Sequence, residues 1–305
     1  MGLFCATLCS VYLVYGFLWT GGNPLTEADA AGKAASFAGT LMAILLAHEM
    51  GHWLVARRHG FALSLPYFIP FPAAFGTFGA VIRLRSLPRS RTALLEMGAA
   101  GPLAGFVVSA AAIAISLPET GPAPPLPSVP SVAIEWPAWL GPLDGMLDYA
   151  FPPPPPGHAE VLIFANPPLM DLLGTLQLGA PPGRFDELAP MALAGWVGCL
   201  LTAMNLLPIG QLDGGHIMAG LWPKQAQRIS KLLLGVVLAA GLLWTPWAVW
   251  ASLLFFFRGY ENLEVPQEPK LTKRAWLVLA LVVLAFALSF MPVPMEPDFL
   301  PVALP

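Results

Sequence analysis

The sequence predicts an all-α polytopic membrane protein of about six transmembrane helices, with a short membrane-associated β-hairpin and a proline-rich external loop. Three observations predict it. The chain is 56% hydrophobic and only 11% charged, where soluble domains carry about 25% charge. Its mean hydropathy is +0.68. Its apolar residues gather into runs near the roughly 20 residues that a helix needs to cross a bilayer. The net charge of -3 includes no basic block, which argues against nucleic acid as a partner. Cys5, Cys9 and Cys199 all fall in apolar runs without paired spacing, so neither disulfides nor a cysteine zinc site is expected.

The first run, Leu3–Trp19, lacks the basic n-region of a signal peptide and is read as a membrane helix within an N-terminal unit, residues 1–33. The second, Ala34–Ala56, has no charge before residue 48. Between Phe61 and Leu87, Pro66, Pro70 and Pro72 forbid a plain helix, while Phe75–Leu84 alternates around Gly76 and Gly79 as a short hairpin would. The third run, Thr92–Leu117, places Gly98, Gly101 and Gly105 where small residues let a neighbouring helix approach closely. Residues 118–190 hold more than half of the chain's 34 prolines, including the run Pro152–Pro156, and should be largely extended. Within them Val161–Phe164 and Leu169–Leu178 are apolar enough to dip into the membrane interface as a gate. Met191–Trp222, Leu232–Phe257 and Trp276–Met291 complete the spans. The chain thus divides at 34–222, a core containing the motifs below, and 223–305, a C-terminal pair of helices and tail.

Lys and Arg set the orientation. Arg57, Arg58, Arg83, Arg85, Arg89 and Arg91 lie between the second and third spans, and Lys224, Arg228 and Lys231 follow the fourth, so both loops should be cytoplasmic. Lys270, Lys273 and Arg274 then fall on the external side, against the rule. Pro246 interrupts the fifth run, which leaves it tilted, kinked or a re-entrant pair.

The chemistry begins at His48-Glu49-Met50-Gly51-His52. Helix positions four apart share a face, so both imidazoles can reach one metal with Glu49 beside it. In the H-E-x-x-H arrangement Zn²⁺ lowers the pKa of a water and the Glu takes its proton. Such groups are costly inside a span unless they serve a ligand or cavity. A third ligand at similar depth is available in Asp213, within Asn205-Leu206-Leu207-Pro208-Ile209-Gly210-Gln211-Leu212-Asp213-Gly214-Gly215. Pro208, Gly210, Gly214 and Gly215 should open that helix where it lines the site. His216, three residues on, is expected to face headgroups.

These residues carry a resemblance. His48–His52 with Asn205–Gly214 resembles the paired signature of the site-2 protease family of intramembrane zinc metalloproteases. Phe75–Ile82, Gly98–Gly105 and Ala194–Trp196 point the same way. The last, leading into Asn205–Gly215, is similar to the branch containing the chloroplast ethylene-dependent gravitropism-deficient proteins and their bacterial relatives. The resemblance covers about Phe37 to Trp222 and implies that His48, His52 and Asp213 hold one Zn²⁺ and that Glu49 is the general base. It implies that Asn205 helps to hold the substrate backbone, and that Gly76, Thr77, Phe78 and Gly79 present a strand edge to an extended substrate. The implied substrate is a single-span membrane protein in the lipid bilayer, trimmed beforehand by an upstream site-1-type protease. The chain departs from many members in having no length or pattern for a PDZ domain.

Two other classes fit the residues less well. A metal transporter should spread ligands along a path through several helices, and here they gather at one level. A non-catalytic scaffold or chaperone should lose Glu49 or a ligand, and none is lost. The Ala, Pro and Gly content, with no Arg- and Ser-rich opening segment, points to a multi-pass protein of a bacterial inner (cytoplasmic) membrane, its site toward the cytoplasm.

Overall fold

The computed structural model describes residues 2–60, 64–72, 74–82, 90–122, 158–183, 186–257, 259–261 and 271–301. Helix α1 (Gly2–Trp19) turns at Pro24 into α2 (Ala28–Arg58), and Tyr15 stacks on Phe37 across the pair with ring centroids 4.1 Å apart. At 31 residues, α2 is roughly 46 Å long. Its last turn ends in Arg57 and Arg58, charges that suit a helix C-terminus.

Strands β1 (Tyr67–Pro70) and β2 (Thr77–Val81) pair antiparallel, Tyr67 opposite Val81 and Pro70 opposite Thr77, with an irregularity between Phe68 and Pro70. The hairpin therefore starts earlier than the sequence suggests, because Pro70 sits at the bulge, where the ladder does not need its missing N–H. Its turn is wedged among the helices. Trp19 donates its indole N–H to the Ala74 carbonyl (3.0 Å), and Phe75 stacks on Trp19 within reach of Phe37 and Trp196. Gly76, at φ +84°, lies against the backbone of Val11, where a Cβ would not fit.

Helix α3 (Arg91–Ser116) is capped by Ser90, whose hydroxyl accepts from the Ala93 N–H at 3.0 Å, and a 3₁₀ turn (Leu117–Glu119) follows it. Beyond it β3 (Gly121–Pro122) pairs with β5 (Asp186–Glu187), and β4 (His158–Phe164) pairs over seven residues with β6 (Met295–Pro301). Val161–Phe164 is thus a strand rather than an interfacial dip, its backbone satisfied by β6. Leu169–Leu178 forms most of α4 (Pro168–Leu178), which buries Leu169 and Met170. The proline run 152–156, with the rest of 123–157, lies outside the described residues, as do Arg83, Arg85, Arg89, Arg184 and Lys270.

The fourth run does open. It divides into α5 (Pro190–Leu206) and α6 (Asp213–Leu221), separated by Leu207–Leu212. Gly210, at φ +47°, packs against the backbone of Gly259 and Tyr260.

The fifth run departs from a single span. It falls within α7 (Pro223–Ala240) and α8 (Thr245–Phe256), a helical hairpin in which Pro246 occupies the first turn of α8, where a missing N–H breaks nothing. At the hairpin's base Gln227 donates to the Tyr260 carbonyl (3.2 Å). Near its tip Trp247 donates to the Pro292 carbonyl (2.7 Å), just past the end of α9 (Lys273–Ser289). The chain therefore returns to the end it left. Arg274, opening α9, lies 3.3 Å from Glu96 in the second turn of α3, and His59, just past α2, lies 3.0 Å from the same carboxylate. Lys273 and Arg274 thus share the end that holds Arg57, Arg58 and Arg91, and for these two the conflict over positive charge disappears. From the other end of α9, β6 meets β4.

The main core lies between α1, α2, α3 and α5, around Phe37, Leu41, Ile113 and Trp196, all fully buried. A second packs α3 and α6 against α9 through Leu95, Ala99, Ile217 and Ala275. Among the described residues three helical stretches are long and apolar enough to cross a membrane: Gly2–Trp19, Ala28–Arg58 and Arg91–Glu119. α5 and α8 are apolar but shorter. The protein has the character of a membrane protein, with large apolar side chains such as Leu242 (93% exposed) and Phe257 (80%) on its outside.

Candidate metal centre

Close approach of α2 and α3 builds the first half of the site. Gly51 lies against the carbonyl of Ala100, Gly105 against the ring of His48, and Gly101 directly against the His52 imidazole, in the place a Cβ would take. The glycines of the third run thus do more than pack helices: they form the wall on which both imidazoles rest. The spacing was legible, but its role toward the histidines required the α2–α3 register.

The second half comes from the opened helix. Asp213 is the first residue of α6, and an acid in a first turn is favoured by the helix dipole. Its Oδ2 lies 3.2 Å from His48 Nε2 and its Oδ1 3.2 Å from His52 Nε2, while the two Nε2 atoms are 3.1 Å apart. In a tetrahedral zinc site with bonds of about 2.0 Å, neighbouring ligand atoms stand roughly 3.3 Å apart.

The hydrogen bonding also suits a metal. His52 Nδ1 sits 2.8 Å from the Met97 carbonyl, which can only accept, so Nδ1 carries a proton and Nε2 is the nitrogen turned toward His48 and Asp213, where it could ligate a metal. Two imidazole nitrogens and a carboxylate turned on one point suit a cation between them, and a carbonyl that accepts from the far ring nitrogen is what orients metal-bound histidines. His48, His52 and Asp213 are a set that could hold a metal ion, and the donors, two imidazoles and a carboxylate, fit Zn²⁺. Met97 acts through its backbone and leaves no signal in the sequence.

Glu49 is 6% exposed, and its carboxylate makes no hydrogen bond or ion pair with any described residue. Asn205, one residue before the end of α5, is half-buried, and its amide likewise makes no hydrogen bond to a described residue. In the β-hairpin Thr77 is engaged locally, its hydroxyl donating to the Ile69 carbonyl (2.9 Å) and accepting from the Gly79 N–H (2.9 Å). Gly76 is against α1, and Phe78, 64% exposed, packs on Phe71 at 4.0 Å between centroids.

His216 does not turn outward to headgroups. Its Cβ faces Gly98 of α3, and its Nδ1 is buried with no hydrogen-bond partner among the described residues. Glu96 was not foreseen either. It is buried between His59 and Arg274, and a lone acid within an apolar run was a signal the sequence did offer.

Residues 36–244, which include His48, His52 and Asp213, match Peptidase family M50. The probable chloroplastic zinc metalloprotease EGY2 of Oryza sativa subsp. indica is 29% identical over 265 residues, covering 84% of this chain and 42% of that protein. The probable chloroplastic zinc metalloprotease EGY1 of Arabidopsis thaliana is 30% identical over 222 residues, 70% of this chain and 35% of that protein. EGY3 of Oryza sativa subsp. japonica, described in the same words, is 29% identical over 264 residues, 81% and 40%. The chain spans less than half the length of these curated relatives. No solved structure matches it. The family match covers well over half of the chain and both halves of the metal cluster, and the chain belongs to peptidase family M50.

Proposed function

We propose that this protein is an intramembrane zinc metalloprotease that hydrolyses a peptide bond in or near the transmembrane segment of a single-span membrane protein. The observation that carries the reading is the convergence of His48, His52 and Asp213 within 4.8 Å, the two histidines on a helix long and apolar enough to cross a membrane and beside the carboxylate of Glu49, which has no partner among the described residues. In this reading His48, His52 and Asp213 hold one Zn²⁺, which supplies Lewis acidity to a water and to the scissile carbonyl. Glu49 takes the proton from the attacking water and delivers it to the leaving amine, so one water is consumed and a carboxyl and an amine are released. The Met97 carbonyl keeps His52 in the tautomer that leaves Nε2 available.

The substrate must be extended before its carbonyl can be attacked. Asn205 stands next to the Leu207–Leu212 break with its amide uncommitted, which suits it to hold a substrate backbone. β2 pairs with β1 on one side only among the described strands, and the other edge, with Phe78, Gly79 and its neighbours Gly76 and Thr77, offers strand addition. α4 is the element placed to restrict entry, since it packs on α3 and α9. The ends of α2, α3, α7 and α9 that gather Lys and Arg face the cytoplasm in this reading, with α7 and α8 entering the membrane and returning as a re-entrant pair. We read the membrane as a bacterial inner membrane from composition, and an upstream protease as the supplier of a trimmed substrate.

The test compares the native chain with Glu49→Gln and Asp213→Ala, measuring bound zinc and cleavage of a single-span substrate in liposomes. Glu49→Gln should keep the zinc and lose cleavage by about 10²- to 10⁴-fold, and Asp213→Ala should lose both. A native protein that binds no zinc, or a Glu49→Gln variant that cuts as the native one does, overturns the reading.

A further inference from the structure

Helix α7 carries Lys224, Arg228 and Lys231 at spacings of four and three, which sets them within about 60° of one another around the helix axis. All three are exposed, and none makes an ion pair with a described residue. Three other cations at this end of the bundle are engaged. Arg57 lies over the Trp53 ring, Arg91 donates to the carbonyls of Gly220 and Leu221, and Arg274 meets Glu96. The stripe does not stop at Lys231. It continues along the same face through Gly235, Leu238 and Ala239, all exposed, to Leu242 at the hairpin tip, 93% exposed. The opposite face, Ala226, Ser230 and Val237, is buried.

The outer face of α7 is therefore basic for about 10 Å and apolar beyond. A soluble acidic partner would satisfy the cations and leave the apolar part bare. A molecule with a phosphate at one end and acyl chains at the other covers both. The inner face touches the break that positions Asp213: Ser230 Oγ accepts the Gly210 N–H (2.9 Å), and Gln227 donates to Tyr260, whose neighbour Gly259 accepts the Gln211 N–H at 2.7 Å.

We infer that this stripe of α7 binds an anionic phospholipid. Lys224, Arg228 and Lys231 hold its phosphate, its chains lie along Gly235, Leu238 and Leu242, and its occupancy steadies the Leu207–Leu212 break. The binding half does not depend on the proposed activity; the importance of the steadying rests on it.

The experiment uses the full chain and reads no cleavage, so its failure is distinct from failure of the protease reading. Retention of phosphatidylglycerol over phosphatidylcholine is measured by native mass spectrometry for the native chain, for Lys224→Gln/Arg228→Gln/Lys231→Gln, and for Arg58→Gln/Lys273→Gln, two exposed cations at the same end but off the stripe. Each stripe cation should contribute roughly fivefold to the preference, and the triple variant should lose on the order of a hundredfold. The off-stripe variant should stay within about twofold of native. A triple variant that keeps the native preference, or an off-stripe variant that loses as much, overturns the site. Displacement of the lipid by millimolar inorganic phosphate overturns the lipid as occupant. Amide exchange at Gly210 and Gln211 should slow in phosphatidylglycerol vesicles relative to phosphatidylcholine for the native chain alone; equal exchange in both overturns the coupling to the break.

Discussion

The two halves of the candidate metal centre are built by opposite means. His48 and His52 sit on one unbroken 31-residue helix and are held by side-chain contact with a neighbouring wall of glycines. Asp213 sits just past a break in a helix, and backbone N–H groups of that break donate to residues that come later, the Ser230 hydroxyl and the Gly259 carbonyl. The first half tolerates no added volume. The second tolerates no loss of a backbone geometry that only distant residues support.

Substitution at the wall should have the largest effect. Gly101→Ala puts a methyl group against the His52 ring, so the imidazole must leave its place and zinc affinity should fall on the order of 100-fold, read by zinc retention against a competing chelator. If zinc is retained at native affinity, the wall is mere packing. Gly210→Ala attacks the other half. A left-handed residue with a side chain costs about 1–2 kcal/mol, and the crowding by Gly259 and Tyr260 adds to it. The expected signature is a lowered melting temperature with a weaker third ligand, while the α2–α3 contacts survive. Equal damage to both halves in a footprinting experiment would show that they are not separately built.

Glu96→Gln should have the smallest effect. The carboxylate is buried, but Arg274 is 66% exposed, so solvent screens much of the pairing. A loss of less than about 1 kcal/mol in thermal stability is expected. A much larger loss would mean that the Glu96 contact, one residue from Met97, is part of what orients His52.

The difference between the halves also decides what the sequence could reveal. His48, Glu49 and His52 were legible because a period of four on one helix is a local property. Asp213 was legible from its depth and from the Pro and Gly around it, which also foretold the break. The α7–α8 hairpin was only one of three readings of the fifth run. Its turn is made at Gly241–Trp244, among residues as apolar as those before and after, so hydropathy carried no boundary there. β1 was hidden because its prolines read as breakers, and the bulge that accommodates Pro70 exists only once β2 is paired. Met97 and Gly259 contribute carbonyls, which every residue has. His216 was misplaced because the sequence cannot tell the face of α6 that meets Gly98 from the face that meets lipid.

Held as it is, the break also fixes an order of manufacture. Residues 48 and 52 are in place early in synthesis, yet the loop leading to Asp213 is not secured until Gly259 has been made, and β4 waits for a partner about 130 residues downstream in β6. At the usual rate of elongation that interval is roughly 10 s. During it the ribosome has delivered a chain with two imidazoles and no completed trap for a metal, and a strand edge open to whatever else is nearby. The His48–His52–Asp213 cluster is therefore completed late, and the edge of β4 is the place where a stalled copy would first be caught by a chaperone or a neighbour.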